Sequence, residues 1–206
     1  MPRGRLITIE GIDGAGKTTL ASALGDELRA RGHDVCVLRE PGGVVAAERI
    51  RELVQDPQLR VGARAEALLY AAARAQLVEE ALDPLLAAGT CVLLDRFVDS
   101  SLAYQGAGRQ LGIDQVRAVN EFATGGLRPD RTLLLAVDTR LGRSRSQSRA
   151  EPVDRLEGER DEFFDRVAGA YDELVMQEPE RIKVIDAAAP PDEVLASALA
   201  ALADLL

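Results

Sequence analysis

Leu6-Ile7-Thr8-Ile9-Glu10-Gly11-Ile12-Asp13-Gly14-Ala15-Gly16-Lys17-Thr18-Thr19 decides the fold. The apolar run Leu6–Ile9 reads as a buried strand, Gly11 to Thr18 fill every fixed position of the pattern G-x-x-x-x-G-K-[ST], and Thr19–Arg31 continues with helix-compatible spacing. Strand, glycine-rich turn and helix in that order build an anion cradle: the glycines let backbone N–H groups turn inward, and the helix dipole favours negative charge at its start. Gly11, Ile12, Asp13, Gly14, Ala15, Gly16, Lys17, Thr18 and Thr19 are therefore expected to hold the phosphates of a nucleoside triphosphate. Lys17 can reach the outer phosphates, and the Thr18 hydroxyl can ligate Mg²⁺. Of 25 cationic residues only Lys17 and Lys183 are lysines, which points to a need for a compact ammonium at this position.

Working outward, Val35–Leu38, Cys91–Leu94, Thr132–Val137 and Ile182–Ile185 are further short runs rich in Val, Ile and Leu, as expected of strands buried on both faces. Helical spacing fills Thr18–Arg31, Ala46–Val54, Arg64–Ala87, Ile113–Ala123, Asp161–Gln177 and Asp192–Leu205. In the longest, Leu69, Ala73, Leu77, Ala81 and Leu85 mark the expected buried face, and Pro84 is expected to kink or break the helix near its end. Strands alternating with helices imply an α/β domain: a five-stranded parallel sheet with right-handed crossovers, covered by helices on both faces. Ligands then gather beyond the carboxyl ends of the strands.

At 206 residues and 47% hydrophobic, the chain can bury one substantial core, and one domain is expected. A net charge of −9 argues against nucleic acid or an anionic membrane as partner, so anionic ligands must meet locally clustered arginines. Cys36 and Cys91 fall in apolar runs, where buried free thiols and a reducing cytoplasm are the ordinary expectation. Neither a signal peptide nor a membrane span is expected. The single histidine, His33, sits between a helix and a strand as a loop residue, which argues against histidine-based acid–base chemistry.

Three polar segments fall where ligands would gather: Arg39–Gly43, Asp95–Gly108 and Arg140–Pro152. Asp95 follows the third apolar run directly and can serve Mg²⁺ with Thr18, while Arg96 beside it can hold a phosphate. Arg39 is followed by the turn Pro41-Gly42-Gly43, which permits close approach to a ligand. Tyr70 and Arg74 lie four apart on one helix face; helix statistics make Tyr70 a core aromatic, whereas its chemistry suits stacking on a base with Arg74 pairing a phosphate. Arg140, Arg143, Arg145 and Arg149 crowd a segment that lacks the apolar residues needed to pack, which reads as a mobile cationic lid supplying the catalytic cation that Gly14-Ala15 lacks.

Taken together, Ile9 through Thr18, Arg39 through Gly43, Tyr70 with Arg74, Asp95-Arg96-Phe97, Ser101 through Gln105 and Asp154-Arg155-Leu156-Glu157 resemble, in order, the blocks of the thymidylate kinases. The resemblance spans Leu6 to about Ile185 and implies a P-loop nucleoside monophosphate kinase-like fold and transfer of the ATP γ-phosphoryl group to dTMP, giving dTDP for dTTP synthesis. It implies dTMP-binding roles for Asp13, Arg39, Tyr70, Arg74, Arg96, Ser101, Tyr104 and Gln105: Asp13 at the 3′-hydroxyl side, Arg39, Arg74 and Arg96 around the acceptor phosphate, Tyr70 stacked on thymine, Ser101 and Gln105 near the base, and Tyr104 beneath the deoxyribose. Lys17, Arg96 and Arg149 are the expected catalytic residues, with Arg145 and Arg143 as other candidates for the lid arginine. Tyr70 and Ser101 replace the phenylalanine and the threonine or asparagine often found there. The resemblance also implies a homodimer.

The residues themselves leave alternatives: a kinase for another nucleoside monophosphate or a deoxynucleoside, or a nucleotide-dependent switch. An acceptor phosphate is already anionic near neutral pH, so no general base is required. The switch is disfavoured by the absence of an Asn-Lys-x-Asp motif and by the acceptor-side arginines.

Overall fold

In the computed structural model, which describes residues 3–147, 155–156 and 159–206, five strands form one parallel sheet. They are β1 (Leu6–Glu10), β2 (Val35–Arg39), β3 (Cys91–Asp95), β4 (Arg131–Ala136) and β5 (Ile182–Asp186), in the order β2-β3-β1-β4-β5. Four of the strands run one residue past the apolar runs that announce them. Glu10, Arg39, Asp95 and Asp186 close the ladders and set polar side chains along the carboxyl edge. β1, β3 and most of β4 are buried, but the edge strands β2 and β5 are only partly covered, contrary to the expectation of burial on both faces. For the same reason Cys36 on β2 is half-buried, whereas Cys91 on β3 is buried; both thiols are free.

Helices α1 (Lys17–Ala30), α2 (Val45–Gln55), α3 (Ala63–Leu77), α4 (Asp83–Ala88), α5 (Val98–Ser101), α6 (Ile113–Thr124), α7 (Thr139–Gln147), α8 (Asp161–Gln177) and α9 (Pro191–Ala200) cover the sheet. One apolar cluster joins Ile7, Ile9, Leu24, Leu93, Leu133, Val167 and Leu174 on one face; the other joins Leu6, Leu77, Leu82, Leu86, Val92, Leu94 and Phe97. Each fully buried Leu or Phe contributes about 1.5–3 kcal/mol by removal from water. No helix among the described residues is long and apolar enough to cross a membrane.

Three stretches depart from the sequence expectation. The long helix is not uniform: Val78–Leu82 forms a π turn between α3 and α4, and Pro84 falls in the first turn of α4, where its missing N–H is tolerated. The inserted residue slips the buried stripe from Ala73 and Leu77 to Val78, Leu82 and Leu86, leaving Ala81 and Leu85 only half-buried; Leu69, upstream of the turn, is half-buried as well. The polar segment after β3 is also helical, α5 followed by a π stretch over Leu102–Gly108. Finally, the part of the arginine-rich segment that is described forms α7 rather than an irregular loop. Asp138 Oδ1 caps it, accepting the N–H of Arg140 at 2.9 Å and of Leu141 at 3.2 Å. This helix docks by backbone, not by an apolar stripe. A Cβ on Gly14 would lie 1.9 Å from the Gly142 carbonyl oxygen, so the two chains touch where neither carries a side chain. Arg149, Asp154 and Glu157 lie outside the described residues.

Candidate active site

Gly11, Gly14 and Gly16 turn the loop after β1 with φ of 136°, 78° and 94°, conformations that L side chains rarely adopt. Gly16 caps α1, whose first turn holds no acidic residue, so its positive end is open to an anion. Lys17 is 7% exposed and donates Nζ–H to the Ile12 carbonyl at 2.8 Å, within the concavity of the loop. Burial, assisted by Arg96, brings its pKa down to about 8. Thr18 Oγ1 donates to Asp95 Oδ2 at 2.8 Å, pairing a hydroxyl with a carboxylate at the end of β3.

Arg96 follows with φ of 70°. A non-glycine residue held in that region costs on the order of 1–3 kcal/mol and persists only where its surroundings over-determine it. Here its guanidinium donates to Asp13 Oδ1 at 2.5 Å, the Gly11 carbonyl at 3.0 Å, Ser100 Oγ at 3.0 Å and Tyr104 OH at 3.3 Å, and lies 5.0 Å from the Tyr104 ring centroid. Burial opposes ionisation of Asp13, but Arg96 and Lys17 outweigh it and hold the carboxyl at about 2. Tyr104 OH also donates to Asp13 Oδ2 at 3.1 Å, and burial pushes that phenol well up.

Behind this layer are carboxylates whose roles the sequence did not announce. Glu10, wholly buried, accepts from the Phe97 N–H at 2.8 Å, Ser100 Oγ at 2.5 Å and Tyr171 OH at 3.0 Å, and burial with Asp99 nearby raises its pKa. Glu40, just past β2, pairs with Arg74 at 2.6 Å; its Oε1 is buried without a hydrogen-bond partner among the described residues, and burial takes its pKa up to about 7. Arg74 is 2% exposed and donates four hydrogen bonds, to Glu40 Oε2, Ser101 Oγ, Asn120 Oδ1 and the Phe97 carbonyl. Only a network of this kind signals Asn120, which no motif contains.

These groups meet in one cavity of about 460 Å³. Of the residues singled out from sequence, Asp13, Gly14, Gly16, Lys17, Thr18, Arg39, Tyr70, Arg74, Asp95, Arg96, Ser101, Tyr104 and Gln105 line it. Gly11, Ile12, Ala15 and Thr19 belong to the loop and α1 but do not line it. Arg39 is the most solvent-open of the cationic set, 55% exposed and paired with Glu48 at 3.0 Å. Arg51 and Gln55 line the cavity without having been anticipated, and Leu156, from the block Asp154 to Glu157, lines it too. Of the candidate lid arginines, Arg145 donates to the Ala187 carbonyl at 2.9 Å, fastening α7 to the end of β5. Five cationic side chains and three carboxylates face the cavity, a net positive interior in a chain of net charge −9. A cavity of this sign with a phosphate loop at one end is built to gather polyanions.

Comparison with known proteins agrees with that chemistry. The family described as thymidylate kinase matches residues 9–198. The thymidylate kinase of Deinococcus radiodurans is 48% identical over 204 residues, covering 99% of this chain and 98% of that one. That of Geobacillus sp. strain WCH70 is 45% identical, covering 98% and 97%. A crystal structure of thymidylate kinase from Ehrlichia chaffeensis superposes with a TM-score of 0.81 at 27% identity, covering 98% of this chain and all of that one.

Proposed function

The chain belongs to the thymidylate kinase family, and we propose that the cavity beside the phosphate loop brings the γ-phosphate of ATP to the phosphate of dTMP through the residues described above. The reaction is ATP + dTMP → ADP + dTDP. The observation that carries this reading is the continuity of the cavity, which runs from Lys17 and Thr18 to Arg96, Tyr104, Ser101 and Gln105 without a dividing wall.

Lys17 exchanges its bond to the Ile12 carbonyl for the outer phosphates of ATP, an exchange eased by its position within the loop. Thr18 and Asp95, two hard oxygen ligands 2.8 Å apart, are suited to Mg²⁺, an ion that takes one or two protein oxygens and completes its shell with phosphates and water. When bound, Mg²⁺ supplies charge neutralisation between the phosphates. Arg96 and Arg39 hold the acceptor phosphate; Arg96, oriented by Asp13, Ser100 and Tyr104, needs no reorganisation when charge shifts during transfer. The acceptor is anionic, so no base is called for, and His33 lies far away at the amino-terminal end of β2. Arg74, at 2% exposure more deeply buried than Arg96 at 17%, belongs to the base side of the pocket in this proposal, where it fixes Ser101 and Glu40 rather than reaching the phosphate. Tyr70 stacks on thymine, Gln105 reads its edge, and Tyr104 underlies the deoxyribose. Residues 140–152 form the lid, with Arg149 the proposed catalytic cation.

The protein acts as a homodimer in the cytoplasm in this proposal. Leu53 on α2, Leu68 on α3 and Phe122 on α6 are 41%, 58% and 92% exposed on three helices that pack side by side, an apolar face suited to a second copy, and the free thiols suit a reducing compartment. The test of the activity is ADP release with ATP, Mg²⁺ and dTMP, dUMP, dCMP, dGMP or thymidine. dTMP is expected to be phosphorylated fastest, and a preference for any other acceptor overturns the substrate assignment.

A further inference from the structure

Glu66, on α3, is wholly buried beneath the base side of the cavity and lies outside every motif discussed above. It accepts from Gln105 Nε2 at 2.9 Å and pairs with Arg109 at 3.1 Å and Arg155 at 2.7 Å. Its two cations are themselves fixed. Arg109 lies 5.0 Å from the Phe163 ring centroid and bonds Glu159 at 2.5 Å, and Arg155 donates to the Val54 carbonyl at 3.1 Å. A carboxylate ion-paired to two guanidinium groups accepts and does not donate, so the Gln105 amide has one orientation available: nitrogen toward Glu66 and oxygen away from it.

We propose that Glu66 is a positioning residue for base selection: by holding the Gln105 nitrogen it leaves Gln105 Oε1 as an acceptor on the cavity wall, which favours a pyrimidine carrying a ring N–H. The neighbouring position complements this. Arg74 donates to Ser101 Oγ at 2.9 Å, which takes one of the oxygen's two acceptor sites and leaves the hydroxyl hydrogen to donate into the cavity that Ser101 also lines. One acceptor and one donor match the imide edge of thymine or uracil, which offers N3–H and a carbonyl oxygen. Cytosine offers a bare ring nitrogen and an amino group, the reverse pairing, and leaves buried polar atoms unsatisfied. The inference rests on the assignment of Ser101 and Gln105 to the base.

The test compares kcat/KM for dTMP, dUMP and dCMP in the wild type, Glu66→Gln and Arg155→Met. A Gln at 66 can donate as well as accept, so the Gln105 amide is free to turn; the dTMP-to-dCMP ratio is expected to fall at least tenfold, with the dTMP-to-dUMP ratio moving less than twofold. Arg155→Met keeps the carboxylate and is expected to keep the dTMP-to-dCMP ratio. A purely structural role lowers all three substrates together and leaves the ratios in place. If Glu66→Gln does not fold by circular dichroism, Glu66→Gln combined with Arg155→Met carries the same test with one unpaired cation fewer. An unchanged dTMP-to-dCMP ratio in the folded variant, or an equal fall in Arg155→Met alone, overturns the role of Glu66 only. A wild type that does not prefer dTMP to dCMP overturns the base-side assignment itself.

Discussion

From Gly11 to Thr18 the phosphate cradle is one unbroken stretch whose shape lies in the backbone, with three glycines at positive φ and a helix start aimed at the ligand. The wall facing it takes Glu40 from the end of β2, Glu66 and Arg74 from α3, Arg96 from beyond β3, Ser101 from α5 and Gln105 from the π stretch that follows. The cradle is specified by local conformation and tolerates loss of a side chain; the wall is held by side chains that satisfy one another in the dark of the core. Damage to the first should therefore appear as lost chemistry, and damage to the second as lost stability along with it.

The sharpest way to break this contrast is Lys17→Ala. Turnover is expected to fall by about 10³-fold or more, with a melting temperature within about 4 °C of wild type. A tenfold or smaller loss in an initial-rate assay sinks the role of Lys17. Arg74→Met strikes the other side: it leaves Glu40 buried beside an apolar group and is expected to lose about 3–5 kcal/mol in urea unfolding, part of which returns in the Glu40→Gln, Arg74→Met double variant. Full stability in the single variant would show the wall to be less tightly interlocked than its geometry states.

Asp13 tests the seam between the two regions. Its pKa in the folded protein, about 2, is below the ordinary 3.8, so its pairing stabilises the fold above that ordinary value, and the stabilisation disappears as pH falls from about 4 toward 2. Asp13→Asn is expected to be about 2 kcal/mol less stable than wild type at pH 7, with the gap narrowing below pH 4. A gap that stays constant with pH argues that ion pairing is not its source. Gly142→Ala has the smallest expected effect. The added Cβ would lie 2.7 Å from Ile12 Cδ1, which can move, and 2.9 Å from the Asp13 carbonyl oxygen, which cannot move without shifting the loop. The expected result is about 1–2 kcal/mol, seen as a rise of roughly tenfold in KM for ATP with little change in KM for dTMP.

The same contrast explains what the sequence disclosed. The five strands, the order of strand and helix, and the cradle are legible because period and glycine placement express them within a dozen residues. Glu40, Glu66 and Asn120 are silent because their partners lie 34, 39 and 46 positions away, and an isolated carboxylate or amide in a turn or on a helix looks like solvent-facing polarity. The slip at Val78–Leu82 escapes a reading that assumes 3.6 residues per turn throughout. α7 escapes for a different reason: it packs through Gly142, and the absence of a side chain leaves no apolar pattern to count.

That slip in the long helix divides one rod between two employers. Upstream, Tyr70 and Arg74 are turned to the cavity; downstream, Leu82 and Leu86 are turned to the sheet. A continuous α-helix would rotate the downstream half by roughly 100° relative to its present setting, so the two orientations could not coexist. Removing one residue from the π turn would thus leave every proposed catalytic group in the chain while presenting the wrong flank of α4 to β3, so helix pitch, not composition, sets the fit there.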